Sequence, residues 1–168
     1  MRAIGSVVLV FALLSPAAAQ DKGKDKLDLE KIPKKVMDTL KAKFPKAEIT
    51  KWTIGKEDGK EVYDIEFKQG EKKFEADIFT DGTIHNWEEG MAAKDLPEAV
   101  TKTGEKKYPK STLKVVMRVT AVKNGKDELE GFEITLDTAD KKEVEVTVNP
   151  AGKIVEDSTD KKDEKKDK

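Results

Sequence analysis

The sequence predicts an α+β fold in which two tandem helix-plus-antiparallel-meander repeats form one continuous sheet with both helices on one face. Three observations carry this expectation. A set of short motifs recurs at a fixed offset, apolar residues recur every four positions within two proline-bounded segments, and they recur every two positions in the segments that follow. A switch of period from 3.6 to 2 marks the passage from an amphipathic helix to a half-buried strand.

Taken in order, the chain opens with a segment that belongs to export rather than to the fold. Arg2 precedes an apolar run over residues 4–14, followed by Ser15, Pro16 and Ala17-Ala18-Ala19. A charged start, about ten apolar residues and an A-x-A site describe a secretory signal peptide. The run is shorter than the roughly 20 residues a spanning helix requires. Cleavage is expected after Ala19, with no membrane insertion afterwards and a periplasmic or secreted location. Residues 20–28 alternate charges and glycine and are expected to form a disordered arm. Residues 157–168, dominated by Lys, Asp and Glu, are expected to form a disordered charged tail.

Between these ends lie two matching stretches, 29–90 and 91–156. Ile32-Pro33-Lys34-Lys35-Val36 and Phe44-Pro45-Lys46 correspond to Leu96-Pro97-Glu98-Ala99-Val100 and Tyr108-Pro109-Lys110, all offset by 64 positions. Pro33 and Pro97 suit the first helical position, where the missing N–H has no partner to lose. Ile32, Val36, Leu40 and Phe44 then form one apolar stripe, matched by Leu96, Val100, Gly104 and Tyr108. Gly104 predicts close packing of that helix on the sheet. Pro45 and Pro109 end the helices, because the residue before a proline is pushed out of the α region.

Strands follow. Tyr63, Ile65 and Phe67 alternate with Asp64 and Glu66; Phe132, Ile134 and Leu136 alternate with Glu133 and Thr135. Phe74, Ala76 and Ile78, and later Val144, Val146 and Val148, alternate with acidic residues in the same way. Such segments are antiparallel strands with one wet face. Asp58-Gly59, Gln69-Gly70, Asp81-Gly82, Asn124-Gly125 and Pro150-Ala151-Gly152 are turn signals. The Asp81-Gly82-Thr83-Ile84 turn recurs as Ala151-Gly152-Lys153-Ile154 at an offset of 70. The added residues are expected in a loop over 121–130.

Composition removes several function classes. With 33 Lys plus Arg against 34 Asp plus Glu, the chain has no excess of positive charge to hold nucleic acid. The absence of Cys excludes disulfides, thiol nucleophiles and thiolate metal sites. His85 is the sole imidazole and no Gly-x-Ser-x-Gly setting exists, so an enzyme is not expected. Asp77 with Asp81, or Asp137 with Asp140, could touch a hard cation, but neither stretch forms an Asp-x-Asp-x-Asp-Gly loop. No metal and no cofactor is expected.

Alternation places Asp64, Glu66, Glu75, Asp77, Phe79, Glu133, Thr135, Glu143, Glu145 and Thr147 on the face away from the helices. His85 and Trp87, following Ile84, are expected to share it. An aromatic and imidazole group (Phe79, His85, Trp87) among Asp64, Glu66 and Asp77 is the candidate partner-binding face, since exposed aromatics weigh heavily at interfaces. The competing reading has Trp87 folded under a linker over 88–94, and Trp52 is expected in the core.

The tandem unit, with its Leu/Ile-Pro-x-x-Val opening, Phe/Tyr-Pro-Lys helix exit and Asp-Gly-x-Ile turn, resembles the PepSY-like family, also described as beta-lactamase-inhibitor-like. The resemblance covers about residues 29–156. It implies an exported, non-catalytic α+β binding module whose open sheet face grips another extracytoplasmic protein, such as a hydrolase or peptidase that it inhibits or restrains. It carries no contact residue over to this chain. The alternatives are a structural or envelope-associated protein without a discrete partner pocket, and a domain that binds a small ligand or ion.

Overall fold

The computed structural model describes residues 27–57 and 59–159. The expected signal peptide, residues 20–26 of the expected arm, Asp58 of the first turn and residues 160–168 of the expected tail lie outside these. Within them the chain runs α1 (Lys34–Lys43), β1 (Glu48–Glu57), β2 (Lys60–Gln69), β3 (Lys72–Phe79), β4 (Ile84–Gly90), α2 (Glu98–Lys107), β5 (Thr112–Lys123), β6 (Lys126–Asp137), β7 (Glu143–Val148) and β8 (Ile154–Asp157). One eight-stranded sheet takes the strands in sequence order, every neighbouring pair antiparallel. Two helices beside a single antiparallel sheet make this an α+β fold, as expected.

The prolines act one position earlier than expected. Pro33 and Pro97 are the capping residues, and their carbonyls accept the first helical bonds from Met37 N–H (3.1 Å) and Thr101 N–H (3.2 Å). Both helices end on an aromatic residue with the same backbone, φ −125° and ψ 74°, at Phe44 and Tyr108, each just before a proline. The predicted stripe of α1 is buried: Ile32, Val36, Leu40 and Phe44 pack on Tyr63, Ile65, Phe67, Ala76 and Ile78. In the second half Val100 packs on Phe132, Ile134 and Leu136 of β6 and on the valines of β7. An ideal Cβ built at Gly104 would come within 2.7 Å of Ile134 Cδ1, which accounts for the glycine in that helix.

Register shows that the two helices share a face. Ile65, under α1, pairs with Ala76, Ala76 with Trp87, and Trp87 with Thr120. Two positions along β5 from Thr120, Arg118 pairs with Phe132, which lies under α2. Side chains across a pair point to the same side, so one face carries both helices and the other carries none.

The sheet is curled. Glu145 on β7 feels the charge of Asp64 on β2, and Glu133 on β6 does so too. In a flat sheet β2 and β7 would lie about 24 Å apart at the usual strand spacing. Single extra residues interrupt the register at Thr50, His85, Lys114, Glu130 and Val155, and such bulges bend strands and increase their twist.

Two boundaries differ from expectation. Residues 121–130 are not a loop: β5 and β6 extend through them to a tight turn at Asn124-Gly125, with Val122 paired to Asp127 and Lys123 to Lys126. The ordered chain also continues past Glu156. Asp157 ends β8 at 3% exposure, and Ser158 donates its N–H to the Glu145 carbonyl and accepts the Glu145 N–H on Oγ. Charge composition alone hid these partners, which hold the start of the predicted tail on the edge of the sheet.

Candidate functional site

The helix-free face is built by every second residue of seven strands. From β1 come Lys51, Thr53 and Glu57; from β2 Val62, Asp64 and Glu66; from β3 Glu75, Asp77 and Phe79. From β4 come Asn86 and Glu88, from β5 Met117, Val119 and Ala121, from β6 Glu133 and Thr135, and from β7 Glu145 and Thr147. Glu156 of β8 pairs with Thr147 and joins them. Lysines stand toward the strand ends, with Lys60 at one end of β2 and Lys68 and Lys73 at the other. The middle is acidic: Asp64, Glu75, Asp77, Glu88, Glu133 and Glu145 run across it from β2 to β7.

Curling turns this row into a crowd. Asp64 and Asp77 lie directly opposite each other and are only 4% and 9% exposed. Burial, and then the charge of Asp64, raise the Asp77 carboxyl to about 7, although the Asn86 amide donates to it at 3.2 Å. Burial raises Glu133 to about 8, reinforced by the charges of Glu145, Glu156, Asp77 and Asp64. Glu88 is pushed well above the usual carboxylate range by burial and by the charges of Glu133, Asp77, Asp64 and Glu145. Burial raises Glu75 similarly, with repulsion from Asp64, Glu88 and Glu133 adding to it. The cation entering from β1, Lys51, pairs with Glu66 at 2.6 Å. Low dielectric disfavours a buried charge and like charges add to the penalty, so part of the row holds protons at neutral pH.

The six expected face residues divide. Asp64, Glu66 and Asp77 stand on the helix-free face. Phe79 does as well, opposite Val62, with the His85 ring edge-on to it at 5.4 Å and Lys60 Nζ 5.4 Å from its centre. Trp87 does not. Its ring packs against Phe44 of α1 at 5.7 Å with Lys43 Nζ over it at 5.3 Å, and it belongs to the first core. The reason is the bulge: Ile84 pairs with Ile78 and Asn86 with Asp77, so His85 is an extra residue in the register between them. One extra residue inverts the alternation beyond it, sending Trp87 inward and Asn86 and Glu88 outward. Trp52 is half-buried against the core and stacked on Tyr63 at 6.2 Å, on the side expected.

Glu57, Asn86 and Glu88 were not anticipated. Glu88 falls where a linker was expected to begin, but β4 continues through Gly90 and bridges the halves, pairing Asn86 to Gly90 with Ala121 to Met117. Strand alternation resumed after Trp87 would have found Glu88, had the bulge been foreseen.

Among the described residues no group of three or more carboxylates and imidazoles is arranged to hold a metal ion. None of their helices is long and apolar enough to cross a membrane.

Comparison with known proteins bears on this architecture. Residues 33–80 match the model of a family described as "Peptidase propeptide and YPEB domain", PepSY. That stretch runs from the Pro33 cap through β3, and the PepSY-like resemblance read from the motifs is borne out there. A DUF2874 family protein from Bacteroides uniformis has 14% identity and a TM-score of 0.55, over 74% of this chain and 87% of that one. A protein from Bacteroides eggerthii, proposed to be periplasmic, has 13% identity and a TM-score of 0.56, over 75% and 87%. A BLIP-like protein from Bacteroides fragilis has 16% identity and a TM-score of 0.49, over 74% and 83%. The first two likenesses concern the fold. No curated protein matches the sequence.

Proposed function

We propose that the chain is an exported, non-catalytic binding module that docks another extracytoplasmic protein, a hydrolase or peptidase that it restrains, on the helix-free face of its sheet. The observation that carries the proposal is the asymmetry of the sheet: both helices cover one face, and the other presents a curled, polar surface spanning both halves. Export rests on the signal-like residues 1–19 and agrees with the periplasmic description of one structural neighbour. The match of residues 33–80 to a family described as a peptidase propeptide domain supports restraint of a peptidase.

The chain contains no Cys, so a single introduced one places a probe without ambiguity. Thr147→Cys, on the helix-free face, and Lys102→Cys, exposed on α2, would each carry a photo-crosslinker into the extracytoplasmic fraction. Adducts from position 147 and none from 102 are expected. Adducts from 102 alone, or from both equally, would sink the assignment of the face.

A further inference from the structure

Asp64 poses a problem that the chain's own cations solve only in part: Lys51 favours its ionised form, yet burial and the charge of Glu66 still hold its carboxyl above the usual range. It is 4% exposed, one of its oxygens lies 3.4 Å from the Thr53 hydroxyl, and its Oδ1 is buried without a hydrogen-bond partner. A buried carboxylate oxygen without a donor is costly. The group beside it is another carboxyl, Glu75, which supplies a donor only when it carries a proton. A donor brought from outside would relieve Oδ1 equally, and would let Glu75 release that proton.

The rest of the row shares the repulsion, although Asp77 accepts from the Asn86 amide. Asp77, Glu88, Glu133 and Glu145 repel one another across four strands. The facing side chains from β5 are Met117, Val119 and Ala121, which carry no charge. The cations on this face are Lys51, paired with Glu66 and also attracting Asp64 and Glu145, and the lysines toward the strand ends, so one ammonium stands among six carboxyls of the row. Beyond the row, Glu57, Glu143 and Glu156 add negative charge.

We propose that the occupant of this face is a polypeptide segment bearing closely spaced lysine or arginine side chains, laid across Asp64, Glu75, Asp77, Glu88, Glu133 and Glu145. The inference rests on the docking role given above and names the chemistry of the partner. Charge complementarity carries it, together with the donorless oxygen of Asp64. A compact metal ion fits poorly, because among the described residues no group of three or more of these acids is arranged to hold one. Alternate side chains of an extended peptide, about 6.8 Å apart, can reach successive members of a row contributed by β2, β3, β4, β6 and β7. Each ammonium that docks favours the ionised form of its neighbours, so binding expels protons.

Deca-lysine is a suitable probe, titrated calorimetrically into the full chain at pH 6 and pH 8.5 in buffers of differing ionisation enthalpy. Affinity at pH 8.5 is expected to be at least about tenfold higher, with proton release, since the row is more fully charged while lysine keeps its proton. Glu88→Gln with Glu133→Gln should weaken binding by at least about tenfold and raise the Tm at pH 8.5, because it removes repulsion. Loss of affinity with a raised Tm cannot come from unfolding, and Glu88→Gln alone serves if the pair fails to fold. Glu98→Gln, on an exposed residue of α2, should change neither quantity. Equal weakening by Glu98→Gln, unchanged affinity in the double variant, or equally tight binding of the small polyamine spermine would overturn the proposal. Absence of deca-lysine binding with crosslinking from position 147 retained would overturn the cationic partner alone; absence of both would overturn the docking face as well.

Discussion

The two helices end on the same backbone and meet opposite chemistry. At the end of α1 the Phe44 ring lies 4.8 Å from Phe67, 5.8 Å from Phe74 and 5.7 Å from Trp87, so the junction of helix and sheet is closed by four aromatic rings. At the end of α2, 64 positions later, Tyr108 donates its hydroxyl to the carboxylate of Asp157 at 2.7–2.8 Å. Asp157 follows Trp87 by 70 positions, the offset that also relates the Gly82 and Gly152 turns, both at positive φ. One backbone frame therefore tolerates either an aromatic cluster or a buried hydroxyl–carboxylate pair. Each closure has its own weakness. The aromatic one leaves Trp87 Nε1 buried without an acceptor, whereas the polar one depends on a charge that acid can remove.

Truncation should separate the two ends most strongly. Phe44→Ala removes a ring 5% exposed and is expected to destabilise the fold by about 3–5 kcal/mol. Tyr108→Phe keeps the ring and removes one donor from a buried carboxylate that retains others, for a loss of about 1–3 kcal/mol. Urea unfolding of both variants checks the order, and losses of equal size would break the contrast between packing and hydrogen bonding. A second difference lies one turn earlier, where α1 has Leu40 and α2 has Gly104. Gly104→Leu must displace Ile134 and should cost about 1–3 kcal/mol, most of it recovered when Ile134 is cut to Ala.

pH sharpens the comparison further. Burial opposes ionisation of Asp157, but the Thr159 hydroxyl and N–H, the Tyr108 hydroxyl and Lys107 outweigh it, and its carboxyl lies below the usual range. A depressed carboxylate contributes stability above its unfolded value of about 3.9, which is lost as pH falls through the folded value. The helix-free face has the opposite sign. Asp77 at about 7 and Glu133 at about 8 favour folding while protonated, and that contribution is lost as pH rises through those values. The Tm of the wild type should therefore decline on both sides of a mildly acidic maximum. Tyr108→Phe should lessen the acid decline and Glu133→Gln the alkaline one; interchange of those effects would refute the assignment.

These contrasts also mark how far the sequence could be read. Helices and strands were legible because prolines and periods of four and two act within a few residues of chain, as did Ile32, Val36 and Leu40 or Tyr63, Ile65 and Phe67. The acidic side of the sheet was legible for the same reason. Trp87 was not, because a bulge at His85 leaves no composition mark and reverses every side chain beyond it. Nor was the partnership of Tyr108 with Asp157, since 49 positions separate them and the carboxylate begins a charged segment that composition reads as solvated. The crowding of Asp64 with Glu145 depends on how tightly the sheet curls, a property of several strands together.

The smallest expected effect is the one that should not distinguish the halves. Thr39 on α1 donates its hydroxyl to the Gly82 carbonyl at 2.9 Å, and Thr103 on α2 donates to the Gly152 carbonyl at 2.6 Å. Each bond fastens a helix to the turn between the last two strands of its half. Both turns need glycine for its positive φ, and a Cβ there would crowd Thr39 and Lys35 in one half or Ala99 in the other. Thr39→Val and Thr103→Val preserve shape and remove the donor, so each should lose about 0.5–1.5 kcal/mol. Because donor, acceptor and partial burial are alike, the two losses should agree within about 0.5 kcal/mol, the scatter expected of independent sites. Unequal losses in urea titration would show that the aromatic and polar helix ends alter the neighbouring clamp, coupling positions that the shared backbone keeps alike.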